Sequence, residues 1–377
     1  MVGPGVFLPL QQFLTHEFAY RHAHQLGVRP VVLRATQITA LLVIFLLVCI
    51  WIATPELKKY FFDGSSALVI GFALALIGYS MLYIVFGILT GSGRFGHYAF
   101  GQSLDGLLRI VISFILVFIG IKSVGPFGIV FGAIPAFVAV ILLIPNLHLL
   151  KDGPPVNSKA MSTSLTWLIV GSVGSQLLVN GSIVSFKVLS THINQAQVGS
   201  FVAGVVLARV PLFFFGAIQS TLLPRLSTHH HAGEYERLNR SIIQTSALVA
   251  IIGLACTVGI FVLGPWALSV FFGHGFKLPR SIMSILAGTI SIYMLAMVAA
   301  QGLIALGRAA FSATGWIAGS LVFVGFLFTK SPLINRIEIA YLAGTIVSLL
   351  TEFGLYWFAQ NSIMRQNILS SEVDTGV

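Results

Sequence analysis

The sequence predicts an all-α, polytopic membrane protein, with about ten transmembrane helices arranged as two parallel-repeat bundles around a central cavity. Three observations lead there. Hydrophobic residues make up 56% of the 377-residue chain and charged residues 8%, at a mean hydropathy of +0.95, which leaves too little polar surface to cover the apolar content in water. Ten stretches are long and apolar enough to cross a bilayer, which takes roughly 20 residues each. The third observation is an internal repeat.

Gln37-Ile-Thr-Ala-Leu-Leu42 recurs as Gln244-Thr-Ser-Ala-Leu-Val249, and at the same offset of 207 Gln12 finds Gln219 and Cys49 finds Cys256. The register then drifts as loops differ. Pro55 with Phe61-Phe62 returns as Pro265 with Phe271-Phe272, and Tyr79 with Gly93-Arg94 returns as Tyr293 with Gly307-Arg308. Matches in this order, broken only by small insertions, indicate two homologous halves, the usual build of a transporter with its site between them. The sequence divides accordingly into an N-terminal bundle over 1–150, a cytoplasmic linker over 151–162 and a C-terminal bundle over 163–377.

The apolar stretches cover approximately 36–53, 67–90, 105–121, 127–147, 163–188, 197–222, 242–263, 281–305, 309–328 and 338–359. Each is too long and too rich in glycine for a barrel strand, and none alternates with period two, so all ten read as helices. Cys49 and Cys256 fall mid-span in the first and seventh, where each reads as a small hydrophobe rather than half of a disulfide. Gly93-Arg94 and Gly307-Arg308 mark short turns after the second and eighth, with arginines suited to helix C-termini and anionic headgroups. Asp105 and Arg109, four apart near the start of the third, read as a local salt bridge. The polar run Lys151-Asp-Gly-Pro-Pro-Val-Asn-Ser-Lys159 is the linker. His229-His230-His231 reads as a solvated loop, because adjacent histidines on a regular element cannot converge on one ion. Glu236 and Arg240 read as a helix-surface pair.

The net charge of +10 reports orientation rather than a nucleic-acid partner. With a cytoplasmic N-terminus, 12 basic residues fall inside and 8 outside, with Arg209 left within a span, which places both termini inside. Met1 to Leu10 has neither a charged n-region nor an adequate h-region, so it is not read as a cleavable signal. At an offset of 207, residues 160–207 have no first-half counterpart, and the repeat predicts about two further spans in a complete relative, with Met1 to Leu10 as the stump of the second.

Pro211-Leu-Phe-Phe-Phe-Gly-Ala-Ile-Gln-Ser-Thr-Leu-Leu-Pro-Arg-Leu226, followed by a polar turn at Gly233 and a basic segment through Arg240, resembles a helix end and inner loop of the oligosaccharidyl-lipid and polysaccharide flippases. These form part of the multidrug/oligosaccharidyl-lipid/polysaccharide exporter superfamily. Pro9-Leu-Gln-Gln-Phe-Leu-Thr-His-Glu-Phe18 is similar to the matching passage in the first half. The resemblance implies two six-helix bundles facing a central cavity and a protein of the bacterial plasma membrane. It also implies a lipid-linked glycan as substrate and membrane lipids as partners; no cofactor is expected, and the candidate coupling ion, a proton or sodium, rests on the carboxylate Glu352. This sequence departs from the pattern by lacking the first helix and most of the second.

Arg209 is the sharpest candidate. It lies about twelve residues into a span, roughly 18 Å deep at 1.5 Å per residue, where an arginine costs about 2.5–3.5 kcal/mol. A guanidinium is always charged and its planar fork suits phosphate oxygens, so a lipid pyrophosphate is a natural partner, as the resemblance also implies. The alternative is an internal pair with a carboxylate, for which Glu352 is the candidate mate. Pro211, two residues on, removes a helix hydrogen bond and predicts a bend.

Two polar stripes accompany it. Ser172, Gln176, Asn180 and Lys187 fall within about 80° of one another at 100° per residue, so they share a face that must meet protein or water. They are candidates for bonding sugar hydroxyls or phosphate; Gly171, Gly174 and Gly181 offer the competing reading of interhelical packing, and Lys187 that of snorkelling. In the last span Tyr341, Thr345, Ser348 and Glu352 share a second face. Glu352 is a candidate coupling site for a proton or sodium, set against a structural role that is wetted or paired with an arginine.

An enzyme is disfavoured, since 11 acidic residues include no paired-carboxylate or His-Glu-x-x-His motif and no loop could fold into a catalytic lobe. The rival to a flippase is a cation-coupled multidrug antiporter of the same superfamily, which would favour an acidic cavity. A third reading is a truncated remnant that folds without transporting.

Overall fold

A computed structural model describes residues 7–374 other than 61, 63, 156, 157 and 190–194. Among these described residues thirteen α-helices occur in the order α1 (Leu8–Ala23), α2 (Arg29–Ile52), α3 (Thr54–Tyr60), α4 (Ser66–Gly91), α5 (Phe95–Phe118), α6 (Val124–Leu143), α7 (Ser158–Leu189), α8 (Gln195–Ala208), α9 (Val210–His231), α10 (Tyr235–Phe272), α11 (Arg280–Ala305), α12 (Ala309–Phe326) and α13 (Leu333–Asp374). A 3-10 turn over Ile144–Leu149 continues α6. No strand occurs among the described residues, and ten helical segments are long and apolar enough to span a membrane. The all-α polytopic class is therefore as the sequence predicts.

The repeat is visible element by element. Displaced by 214 residues, α4 falls on α11 and the start of α5 on the start of α12; α2 with α3 corresponds to α10, α6 to the start of α13, and α1 to α9. Gly93 and Gly307 hold the same left-handed conformation, φ of 72° and 70°, which only glycine adopts without a steric cost. One difference between the halves is local: α2 stops at Ala53 and restarts at Thr54-Pro55, whereas α10 runs through Pro265 without a break.

The chain divides into two compact units, Met1–Ile169 and Val170–Val377. The division runs through α7, whereas the sequence reading places it at the 151–162 linker. In the first unit α4 is central, packed by α1, α2, α5 and α6. Its core joins Leu82, Val85, Phe86 and Leu89 to Ile134, Val138 and Leu142. The α4–α6 crossing is close because Gly71 faces Gly128, whose carbonyl oxygen lies 2.3 Å from where a Cβ would stand. Residues 151–154 are held against the α1–α2 turn: Arg29 N–H donates to the Lys151 carbonyl, and the Arg21 guanidinium donates to the carbonyls of Gly27 and Pro154.

In the second unit α11 is the central helix, packed by α8, α9, α10, α12 and α13. Most of its later turns, from Ala296 to Ala305, are buried. Helices α12 and α13 meet at Gly319 and Gly344, and α7 lies on α12 through Gly171 against Ala313, Gly174 against Trp316 and Gly181 against Phe323. The glycines of α7 thus serve interhelical packing, and Ser320 Oγ donates across the same contact to the Gly174 carbonyl.

Two local expectations are corrected. The third span starts at Phe95 rather than near 105, so Asp105 and Arg109 are the eleventh and fifteenth residues of a 24-residue helix and lie at mid-span depth. Polar residues such as His97, Gln102 and Ser103 dilute the hydropathy of its first turns and hide that start. His229, His230 and His231 form the last turn of α9 rather than a loop. Cys49 and Cys256 are both free, in agreement with the sequence reading.

Candidate functional site

The predicted bend at Pro211 is a break. One apolar span, Gln197–His231, is interrupted between α8 and α9, and the residue at the interruption is Arg209. Pro211 has no N–H, so the Leu207 carbonyl loses its helical donor, while the Arg209 N–H is shared between the carbonyls of Val205 and Val206 at 3.2 Å each. The side chain leaves the axis at this corner and is 8% exposed.

What meets it is α7. The Arg209 guanidinium donates to the Val179 carbonyl and, at 3.2 Å, to Asn180 Oδ1; Asn180 Nδ2 in turn donates to Gln176 Oε1 at 2.8 Å. The α7 stripe therefore folds toward the arginine as an ordered relay, with Gln176 and Asn180 half-buried. Ser172 lies on the same face, also half-buried. The side chain of Lys187 lies outside the described residues. Tyr293 of α11 and Tyr341 of α13 stand near the guanidinium. Tyr293 is hydrogen-bonded to Ser175 at 2.5 Å, whereas the buried Tyr341 hydroxyl has no partner among the described residues.

Arg209 forms no ion pair: among the described residues the salt bridges are Arg29–Asp152, Arg109–Asp105, His229–Glu234 and Arg237–Glu234. Its Nε is buried without a partner. A permanently charged group within an apolar span is thus held by neutral acceptors alone among the described residues, an arrangement that could take a diffusible anion.

Glu352 is not the mate of Arg209. It is fully buried, with Oε1 accepting from Ser312 Oγ at 3.2 Å and Oε2 without a partner among the described residues. Gly315 makes the room, since a Cβ there would lie 2.7 Å from Oε1. On the same helix Thr345 and Ser348 donate to the carbonyls of Tyr341 and Gly315, so this second face is turned into the α12–α13 contact. A further buried carboxylate, Glu338, is 6% exposed with Oε1 unpartnered; standing at the edge of a predicted span, it gave no sign in the sequence of its burial.

The described residues form an all-helical chain of two compact units, with ten helical segments long and apolar enough to cross a membrane. Its fold matches crystal structures of MATE proteins. One in the bent conformation gives a TM-score of 0.76 at 14% identity, covering 97% of this chain and 85% of that one. An outward-facing multidrug resistance MATE family transporter of the MOP superfamily gives 0.76 at 15%, over 97% and 86%. A Vibrio cholerae MATE transporter gives 0.76 at 16%, over 97% and 86%.

The chain belongs to the MurJ lipid II flippase family, whose model matches residues 26–356. Uncharacterized protein Rv3630 of Mycobacterium tuberculosis is 25% identical over 289 residues, 74% of this chain and 63% of its own. Uncharacterized protein Rv1510 of the same organism is 24% identical over 299 residues, 78% and 67%. The chain thus spans 63% of the length of the first of these relatives.

Proposed function

We propose that this protein carries a polyprenyl-pyrophosphate-linked glycan across the bacterial plasma membrane by alternating access, with both termini cytoplasmic. Family membership supports a lipid-linked cell-wall precursor of the lipid II type. The observation that carries the reading is Arg209: a guanidinium at bilayer depth, fixed by a helix break, bonded to neutral acceptors and paired with no carboxylate among the described residues. In this reading the pyrophosphate takes the open donor capacity of Arg209, while Gln176, Asn180 and Ser172 bond oxygens beside it. Lys187, on the same stripe, adds a second positive charge for the headgroup. Glu352 serves as the coupling carboxylate, exchanging a proton or sodium as the conformation changes. The protein acts as a transporter rather than an enzyme. The multidrug antiporter reading has support only from fold relatives at 14–16% identity.

The test is complementation of a flippase-deficient bacterium. The wild-type chain should restore growth, and Arg209→Ala should abolish that while the purified variant stays monodisperse. Growth restored by Arg209→Ala would remove Arg209 from the site, and failure of the wild type would count against transport by this chain.

A further inference from the structure

The first unit contains its own membrane-embedded arginine site. Arg109 lies fourteen residues beyond the start of α5, about 21 Å along its axis at 1.5 Å per residue. Its Nη2 donates to the Tyr79 hydroxyl at 2.6 Å and bridges both Asp105 carboxylate oxygens at 2.9 and 3.0 Å. The guanidinium lies 5.5 Å from the Tyr79 ring centroid and 6.0 Å from that of Phe131. The Arg109 side chain is 27% exposed and that of Asp105 16%, and Nη1 has no hydrogen-bond partner among the described residues. At 100° per residue Tyr98, Gln102, Asp105, Arg109 and Ser113 fall within about 80°, forming a continuous polar seam on α5.

An ion pair left part-exposed at this depth cannot face acyl chains, so its open edge faces water or a polar ligand. The repeat sharpens the comparison. Tyr79 and Tyr293 are equivalent residues on equivalent central helices, and each stands beside an embedded arginine. The chemistry of the two differs. Arg209 has no carboxylate and presents net positive charge, whereas Arg109 is neutralised by Asp105, whose carboxylate would repel a phosphate.

We propose that the α5 seam around Asp105, Arg109 and Tyr79 is a carbohydrate subsite, which takes the uncharged hydroxyl-rich part of a lipid-linked glycan. A sugar hydroxyl both donates and accepts; Asp105 accepts, Arg109 Nη1 donates, and Gln102 does both. The guanidinium lies over the Tyr79 and Phe131 rings, and the part of the Phe131 ring left exposed, 39%, supplies the apolar surface on which a pyranose packs. The seam's zero net charge selects for such a ligand over the diphosphate, which Arg209 suits. This assignment rests on the transport reading above and adds the part of the substrate that the first unit recognises.

The test is binding to the full-length chain in lipid nanodiscs of two probes, a polyprenyl diphosphate and the same lipid bearing a disaccharide. The readout is the ratio of the two affinities. Asp105→Asn, Arg109→Gln and Tyr79→Phe are each expected to lower the preference for the glycosylated lipid tenfold or more. Arg209→Ala should weaken both lipids together and leave the ratio unchanged. Tyr79→Phe keeps the ring and the fold while removing one hydroxyl, so it decides the matter if the charge variants fail to fold. An unchanged ratio in folded variants, or a wild type that prefers neither lipid while binding both, overturns the subsite and leaves the transport reading standing. A wild type that binds neither lipid overturns both.

Discussion

Replacing Arg209 with methionine separates a ligand-binding guanidinium from a structural one. Methionine is similarly long and carries no charge. Arg209 makes two interhelical hydrogen bonds, to the Val179 carbonyl and Asn180 Oδ1, and such bonds in membranes contribute about 0.6–1.7 kcal/mol each. Removing them costs about 1–3 kcal/mol, while removing an arginine from bilayer depth recovers about 2.5–3.5 kcal/mol. The two nearly cancel, so Arg209→Met should unfold within about 2 kcal/mol of wild type in mixed micelles. A diphosphate ligand, by contrast, loses a charge-assisted contact of about 3 kcal/mol or more, at least a hundredfold in affinity. Equilibrium unfolding and binding of a polyprenyl diphosphate, measured on the same preparation, supply both numbers. A variant that loses more than about 4 kcal/mol of stability yet binds the lipid as tightly as wild type would refute the reasoning.

Two further outcomes follow from geometry elsewhere. In Gly319→Ala the new Cβ would meet the Gly344 carbonyl oxygen at 2.4 Å, and backbone cannot rotate away, so α12 and α13 must part. The variant should lose about 1–3 kcal/mol in thermal or denaturant unfolding, and a loss below about 0.5 kcal/mol would contradict that packing. At the α9–α10 turn, hydrogen bonds from His229 and Arg237 hold the Glu234 carboxyl below its ordinary value of 4.5. A depressed carboxylate stabilises the fold above its unfolded value and ceases to do so as pH falls through its folded one. Amide protection factors across 229–237, corrected for the intrinsic pH dependence of exchange, should therefore fall below about pH 4.5, and Glu234→Gln should remove that dependence. Protection factors equal at pH 3 and pH 7 would rule the contact out.

The scaffold was legible because hydropathy and an internal repeat are properties of the chain itself. Offsets of 207 to 214 read along the sequence fall on matching helices, and Pro211 marks the break that bears Arg209. The α7 stripe was legible from helical angles alone. Its partners were not, because Arg209 meets Val179 and Asn180 about 30 positions away in sequence, through a crossing that only packing decides. Glu352 shows the same limit from the other side. Its charge suggested an arginine mate, but space beside Gly315 and a hydroxyl from Ser312 set where it lies. The α5 seam escaped notice for a different reason. An amphipathic helix averages its polar face away, so the window that finds apolar spans starts it ten residues late and mistakes a mid-span ion pair for an interfacial one.

The twin tyrosines bear on how the molecule came to be. Tyr79 and Tyr293 occupy one ancestral position, yet Phe323 stands where a copy of Arg109 would fall and Val2 where a copy of Arg209 would fall. The scaffold was therefore duplicated, whereas each cation belongs to a single copy, gained there or lost from its twin. The difference between the lobes in their embedded cations is accordingly younger than the lobes themselves.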